Sequence, residues 1–281
     1  MTDMSMNSPS FNLEELCSTA RMLRGDILDL SFRARTPHIG SALSCVDILA
    51  ALYWTNARLN PHDPYATERD RFILSKGHAA TALYSVLARR GYFPQQLLNQ
   101  YALPGSPLVE HPVLGSVPGI EVTSGSLGHG LSLGLGMALA GQIQGIKFRV
   151  YVLLSDGECN EGSVWEAAML APAHKLENVV AIVDYNKWQA TGRSEEILAL
   201  APLGKKWEAF GWSVKEIDGH DLASLAHVLS EVPDGSGKPI AIIAHTVKGK
   251  GISFMEDDNN WHYRIPTAQE LENAKHELGL A

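Results

Sequence analysis

Asp156 and Asn186 stand thirty positions apart, each at the end of an apolar run, and Gly157 directly follows the aspartate. A carboxylate at the close of one strand and a carboxamide one βα unit later can together hold a divalent cation against a diphosphate. Magnesium seeks six oxygens and takes few of them from protein, so Asp156, Asn186 and a backbone carbonyl just past the asparagine, that of Trp188, would suffice. Gly157 allows close backbone approach to a phosphate, and amides opening the next helix point toward an anion. The same residues also fit a plainer role, with Asp156 capping a helix and Asn186 making an Asx turn.

The elements that must position these residues read as alternating strands and helices. An amphipathic helix over 13–35 breaks at 36–41, which leaves His38 in a loop, and a second helix covers 46–54. A strand over 71–74 meets a helix over 79–90, with Ser75-Lys76-Gly77-His78 at the junction, where α/β folds bind anions. Residues 104–130 are rich in Gly, Pro and Ser, carry His111 and His129, and read as a functional loop. Beyond them the pattern predicts a helix over 131–143, strands over 149–154, 179–183, 212–217 and 240–245, a helix closing at 207–210, and helices over 164–173 and 222–229. This order implies a single α/β domain spanning 1–281: a doubly wound, mostly parallel sheet with helices on both faces, preceded by a flexible tail over 1–12.

Composition narrows the function classes. With 281 residues, 45% of them hydrophobic, the chain can bury a substantial core. A formal charge of −8 and no basic run argue against a nucleic-acid surface. No window of eighteen unbroken apolar residues occurs, and the first ten residues lack a signal-peptide plan, so neither a membrane nor export is expected and a cytoplasmic location is. Cys17, Cys45 and Cys159 are scattered and odd in number, which excludes a disulfide framework; Cys159 reads as a small filler rather than a nucleophile. Dinucleotide, P-loop, zinc-protease and serine-hydrolase signatures are all missing.

Five ordered segments together resemble the transketolase family, in its thiamine-diphosphate-binding amino-terminal domain, from about residue 13 to 266. They are Thr36-Pro37-His38-Ile39-Gly40, Leu74 to Ala79, Gly119 to Gly130, Ser155-Asp156-Gly157-Glu158 with Asn186, and Thr246 to Gly251 ahead of His262. The resemblance implies thiamine diphosphate with Mg²⁺, or Ca²⁺ or Mn²⁺ in its place. It implies Asp156, Asn186 and the Trp188 carbonyl as metal ligands, with His78, Gly157, Glu158, Asn186 and His262 at the cofactor. Gly125, Ser126 and Leu127 would lie against the aminopyrimidine. His38, His111 and His262 would surround the reacting sugar carbons, where an imidazole can donate or accept near neutral pH.

The chain departs from the family pattern in places. Ser155 replaces a common glycine, His129 a common glutamine, and Tyr263-Arg264 follows His262 where Gly-Ala-Pro is usual. Arg264 reads as a surface residue, while Lys248 fits either a diphosphate contact or a solvated loop. Full-length transketolases continue into two more domains, and the glutamate that activates the cofactor comes from the second. The resemblance therefore implies the N-terminal subunit of a split transketolase, transferring a two-carbon ketol unit from a ketose to an aldose. It would work only with a C-terminal partner subunit that carries the pyrimidine-binding domain, as an α2β2 heterotetramer on sugar phosphates. The alternatives are the α subunit of a thiamine-dependent 2-oxo acid dehydrogenase and a non-catalytic subunit of the same fold.

Overall fold

A computed structural model describes residues 11–280. Five strands, β1 (Arg71–Leu74), β2 (Val150–Ser155), β3 (Val179–Tyr185), β4 (Ser213–Asp218) and β5 (Ile240–His245), form one sheet in the order β1-β2-β3-β5-β4, with every pair parallel. Each inner strand is apolar over its first five residues because both of its faces are covered. Successive side chains alternate between two cores. Phe72, Leu74, Tyr151, Leu153, Val180 and Ile182 enter one core, and Ile73, Val150, Val152, Leu154, Ala181 and Val183 enter the other.

The first core is covered by α1 (Leu13–Ala34), α2 (Ile39–Ser44), α3 (Val46–Trp54), α4 (Ala80–Arg90) and, in part, α9 (Leu222–Ser230). The second is covered by α5 (Gly130–Gln144), α6 (Gly162–Ala173) and α8 (Leu203–Ala209), with a short α7 (Ser194–Ile197) beside the β3 exit. Helices thus lie on both faces of a parallel sheet, as expected. α10 (Ala268–Glu277) packs back on α1 and opens with a capping box between Thr267 and Glu270.

Two expectations change. Residues 36–41 were expected to be a loop, but only Thr36 to His38 are; α2 begins directly after His38, its six residues all buried. Six residues carry too little periodicity to be seen in sequence, and this turn is held by burial rather than by propensity. The flexible tail expected over 1–12 lies outside the described residues except at its end. There Asn12 caps α1 by accepting from the amides of Glu14 and Glu15 at 3.0 and 3.3 Å.

Candidate functional site

Asp156, Gly157, Asn186 and Trp188 follow β2 and β3, His78 follows β1 and His262 lies beyond β5, whereas His38 sits between α1 and α2 and His111 and Gly125 to Leu127 lie in the long loop before α5. Contacts between these segments bring them together. β2 ends at Ser155, which places Asp156 in the turn that follows, fully buried. Asp156 Oδ2 accepts from the Lys187 amide at 2.9 Å and from Ser194 Oγ at 2.7 Å. Oδ1, also buried, has no hydrogen-bond partner among the described residues. Burial, aided by the nearby Asp184 charge, pushes this carboxyl up to about 7. A desolvated carboxylate with one orphaned oxygen is a costly arrangement unless a cation completes it.

The opposite wall is a hairpin that leaves β3. Its flanking backbone bonds run from the Gln189 amide to the Gly192 carbonyl at 2.9 Å and from the Ser194 amide to the Lys187 carbonyl at 3.0 Å. Trp188 and Arg193 are therefore the non-bonded pair between them, and both polar groups of Trp188 turn to the ribbon's outer side. The Trp188 amide donates to Asn186 Oδ1 at 3.0 Å, so its carbonyl faces that same side. The buried Asp156, the buried Asn186 and a peptide carbonyl thus offer oxygens only, the donor set that a hard cation such as Mg²⁺ takes.

Beneath this set lies a buried ion pair that sequence reasoning missed. Lys76 and Asp184 are both fully buried, and their side chains bond directly. Ser44 Oγ donates to Asp184 at 2.6 Å, Thr246 Oγ1 donates to its other oxygen, and Lys76 Nζ also donates to the Ser41 carbonyl at 2.9 Å. Burial opposes both charges, yet the pairing prevails: Asp184 is held below the usual carboxylate range and Lys76 is raised. Lys76 was visible in its motif, but nothing in sequence showed its partner 108 positions away.

Four histidines meet above the pair. The His38 ring lies 5.4 Å from His78, 6.3 Å from His111 and 5.0 Å from His262 between centroids. Burial, followed by neighbouring positive groups, lowers His38 to about 4 and His262 to about 3, and carries His78 well below its ordinary value. These three are neutral imidazoles at neutral pH, able to donate from one nitrogen and accept at the other. The glycines allow the loops to close on them. A Cβ on Gly77 would come within 2.6 Å of the Gly125 nitrogen, and one on Gly125, at φ +139°, within 3.0 Å of the His111 ring.

Around this cluster Ser126 is exposed, Leu127 is half-buried, and Gly157 faces the Gln189 side chain, which a Cβ would meet at 3.0 Å. Glu158 is turned inward. Its carboxylate is fully buried and accepts from Ser75 Oγ, the Gly128 amide at 2.8 Å and the Ser155 amide at 3.3 Å, so its oxygens brace two loops rather than face a ligand. Cys159 is buried with its thiol pushed well up, a filler as expected. Arg264 lies at the surface, paired with Glu270 and stacked over Trp261. Lys248, for which a solvated loop position was open, is instead fully buried and donates to Asn259 Oδ1 at 2.7 Å and His262 Nδ1 at 2.9 Å.

A buried carboxylate oxygen without a partner, a buried carboxamide and a free-facing peptide carbonyl beneath clustered imidazoles, on a parallel α/β sheet, are groups whose chemistry suits an anionic cofactor with a cation beside a polar substrate. Residues 13–281 match the family model for the transketolase thiamine diphosphate binding domain. The chain is 42% identical over 255 residues to one of the subunits of the apulose-4-phosphate transketolase of Phocaeicola vulgatus, an overlap of 91% of this chain and 90% of that one. It is 43% identical over 242 residues to the 6-deoxy-6-sulfo-D-fructose transketolase subunit SqwG of Clostridium sp., covering 86% and 88%. Human transketolase is 40% identical over 259 residues, which are 89% of this chain but 40% of that protein. The crystal structure of Campylobacter jejuni transketolase superposes with a TM-score of 0.90 at 30% identity, covering 96% of this chain and 43% of that one. The chain belongs to the transketolase family. It corresponds to the subunit with the thiamine-diphosphate-binding domain in members divided between two polypeptides, and spans about two fifths of the undivided ones. Transketolases are thiamine-diphosphate-dependent transferases, and these relatives set aside the 2-oxo acid dehydrogenase alternative.

Proposed function

We propose that the chain is one folded domain that holds the diphosphate end of thiamine diphosphate through a divalent cation and presents its histidines to a sugar. The observation that carries this reading is the orphaned Asp156 Oδ1, buried opposite Asn186 and the outward face of Trp188. Asp156, Asn186 and the Trp188 carbonyl would ligate Mg²⁺, with Ca²⁺ or Mn²⁺ as substitutes. The Gly157 backbone and His78 would meet the diphosphate, and Gly125 to Leu127 would lie along the aminopyrimidine. Glu158 serves that end of the site indirectly, by bracing the loops that carry Ser75 and Gly128.

Thiamine diphosphate, when bound, supplies the nucleophilic carbon that carries the two-carbon ketol unit. What this chain adds is orientation. His38, His111 and His262 would bond the sugar hydroxyls and move protons at the oxygens that gain or lose them, a role that the neutral rings of His38 and His262 permit. The activating glutamate and the pyrimidine-binding domain would come from the C-terminal partner subunit, in a cytoplasmic α2β2 assembly. No helix among the described residues is long and apolar enough to cross a membrane. The substrates would be sugar phosphates or their analogues; two relatives are named for apulose 4-phosphate and for a sulfonated fructose.

The test is thermal. Thiamine diphosphate with Mg²⁺ should raise the melting temperature of the complex with its partner, and Asp156→Ala should abolish the rise. An equal rise in the variant would remove Asp156 from the site.

A further inference from the structure

We propose that Lys248 is a positioning residue for His262, locking its imidazole with Nδ1 as acceptor and the proton on Nε2, so that His262 meets the sugar as a hydrogen-bond donor. The proposal rests on the reading above that His262 faces the substrate.

Donor inventory decides the sense of the contact at neutral pH. Burial lowers Lys248 to about 8, so at pH 7 it is mainly an ammonium with three N–H donors and no acceptor, and across the 2.9 Å contact between Lys248 Nζ and His262 Nδ1 the lysine donates and Nδ1 accepts. A neutral imidazole whose Nδ1 accepts carries its proton on Nε2. Left to itself, an exposed histidine would sample both tautomers; here the choice is removed by a side chain with no solvent exposure.

The lysine is itself held in place. Its Nζ donates to Asn259 Oδ1 at 2.7 Å, and Asn259 cannot turn over freely because its Nδ2 donates to the Ala190 carbonyl at 3.2 Å. Its stem runs over Gly40, where a Cβ would stand 3.2 Å from Lys248 Cγ and 3.3 Å from Trp261. The backbone beside it is tied to the same helix start, the Gly249 amide donating to the Gly40 carbonyl at 3.0 Å. Gly40 in the His38 motif is thereby explained as room for a lysine more than two hundred positions away. The histidine is fixed from its other end as well, since its carbonyl accepts from the His38 amide at 2.8 Å. A positive charge beside Nδ1 also disfavours the imidazolium, in line with burial and Lys248 together lowering His262 to about 3.

The experiment reads the tautomer directly, by ¹⁵N NMR of the full chain labelled at histidine, with His262 assigned by its loss in His262→Gln. At pH 7 the wild-type ring should be neutral with its proton on Nε2, and in Lys248→Met it should shift toward a mixture. A proton on Nδ1 in the wild type, which needs no variant to fold, would overturn the proposal; so would an unchanged tautomer in a folded Lys248→Met. In the enzyme assembled with its partner, Lys248→Met should lower kcat roughly 10- to 100-fold. Measured at saturating cofactor, Lys248→Arg should restore part of the rate. A variant that is merely less stable, with normal kcat, would refute the positioning role. The tautomer is measured without cofactor or sugar, so its failure leaves the transketolase reading intact, and failure of cofactor binding leaves the tautomer result standing.

Discussion

The backbone amide of His38 donates to the carbonyl oxygen of His262 at 2.8 Å, and the two rings meet edge-on with centroids 5.0 Å apart. This bond joins the start of α2 to the far end of the chain. It also holds His38 at φ +73°, a left-handed conformation that a histidine adopts only at some cost. The imidazole cluster is therefore a tertiary product, assembled only when the whole domain has closed.

Acid sensitivity follows from the same cluster. His38 and His262 titrate near their ordinary 6.5 when unfolded but only at about 4 and about 3 when folded. The unfolded chain thus binds protons first as pH falls, so the stability they contribute is fully present above 6.5 and drains away toward 4. These two histidines should thus pull the melting temperature down across that window, against the opposite pull of Asp156, which burial raises to about 7 and which takes up its proton first in the folded protein. His38→Gln with His262→Gln should flatten the drop; an equally steep decline in that double variant would assign it elsewhere.

The Lys76–Asp184 pair should show the asymmetry of buried charges. Lys76→Met leaves a fully buried carboxylate with Ser44 and Thr246 as its close side-chain donors, and should cost about 3–5 kcal/mol in urea unfolding. Replacing both partners, Lys76→Met with Asp184→Leu, should recover much of that loss. If the double replacement is no more stable than Lys76→Met, the pair is not what restrains these two side chains.

Cation affinity should rise with pH. Asp156 carries its proton up to about 7 in the ligand-free protein, and a ligating carboxylate must release it. Calorimetry with thiamine diphosphate and Mg²⁺ should show tighter binding at pH 8 than at pH 6, with proton release at the lower pH and none at the higher. A pH-independent affinity would mean that Asp156 is not the ligand whose proton is displaced.

Gly77→Ala tests the contact between two motifs. Its Cβ would lie 2.6 Å from the Gly125 nitrogen and 2.8 Å from the Ser124 carbonyl carbon, both backbone atoms that cannot swing aside. Overpacking of this kind costs about 1–3 kcal/mol. The strain should displace Gly125 from its place beside His111, and cofactor affinity should fall at least about tenfold, since each 1.4 kcal/mol is a factor of ten. Wild-type affinity in a folded variant would show that the Gly125 turn does not line the cofactor.

Much of this architecture was legible because parallel strands announce themselves. β1 and β5 span the bounds expected for them, and His78 and Lys248 follow those strands closely. The order of strands was not legible, since β5 inserts between β3 and β4 through contacts that no local pattern encodes. Nor were α2 and α10, the first being too short for a periodic signal and the second lying past the last recognisable motif. The histidines stood out as residue types in unusual loops. Lys76 and Lys248 were visible in their motifs, but their burial and their partners were not, and Asp184 drew no notice, because a lysine or aspartate in sequence looks like surface until its surroundings are seen. Glu158 illustrates the reverse: the family resemblance put it at the cofactor, while its three protein donors were spread over Ser75, Gly128 and Ser155.

The most direct measurement of the central claim is ketol transfer by the reconstituted pair. With the C-terminal subunit, thiamine diphosphate and Mg²⁺, this chain should move a two-carbon unit from a ketose phosphate to an aldose phosphate, read as formation of the shortened aldose. This chain alone should show none, and Asp156→Ala should reduce the pair to background. Robust transfer by this chain without its partner, or undiminished transfer by the Asp156→Ala pair, would contradict the account.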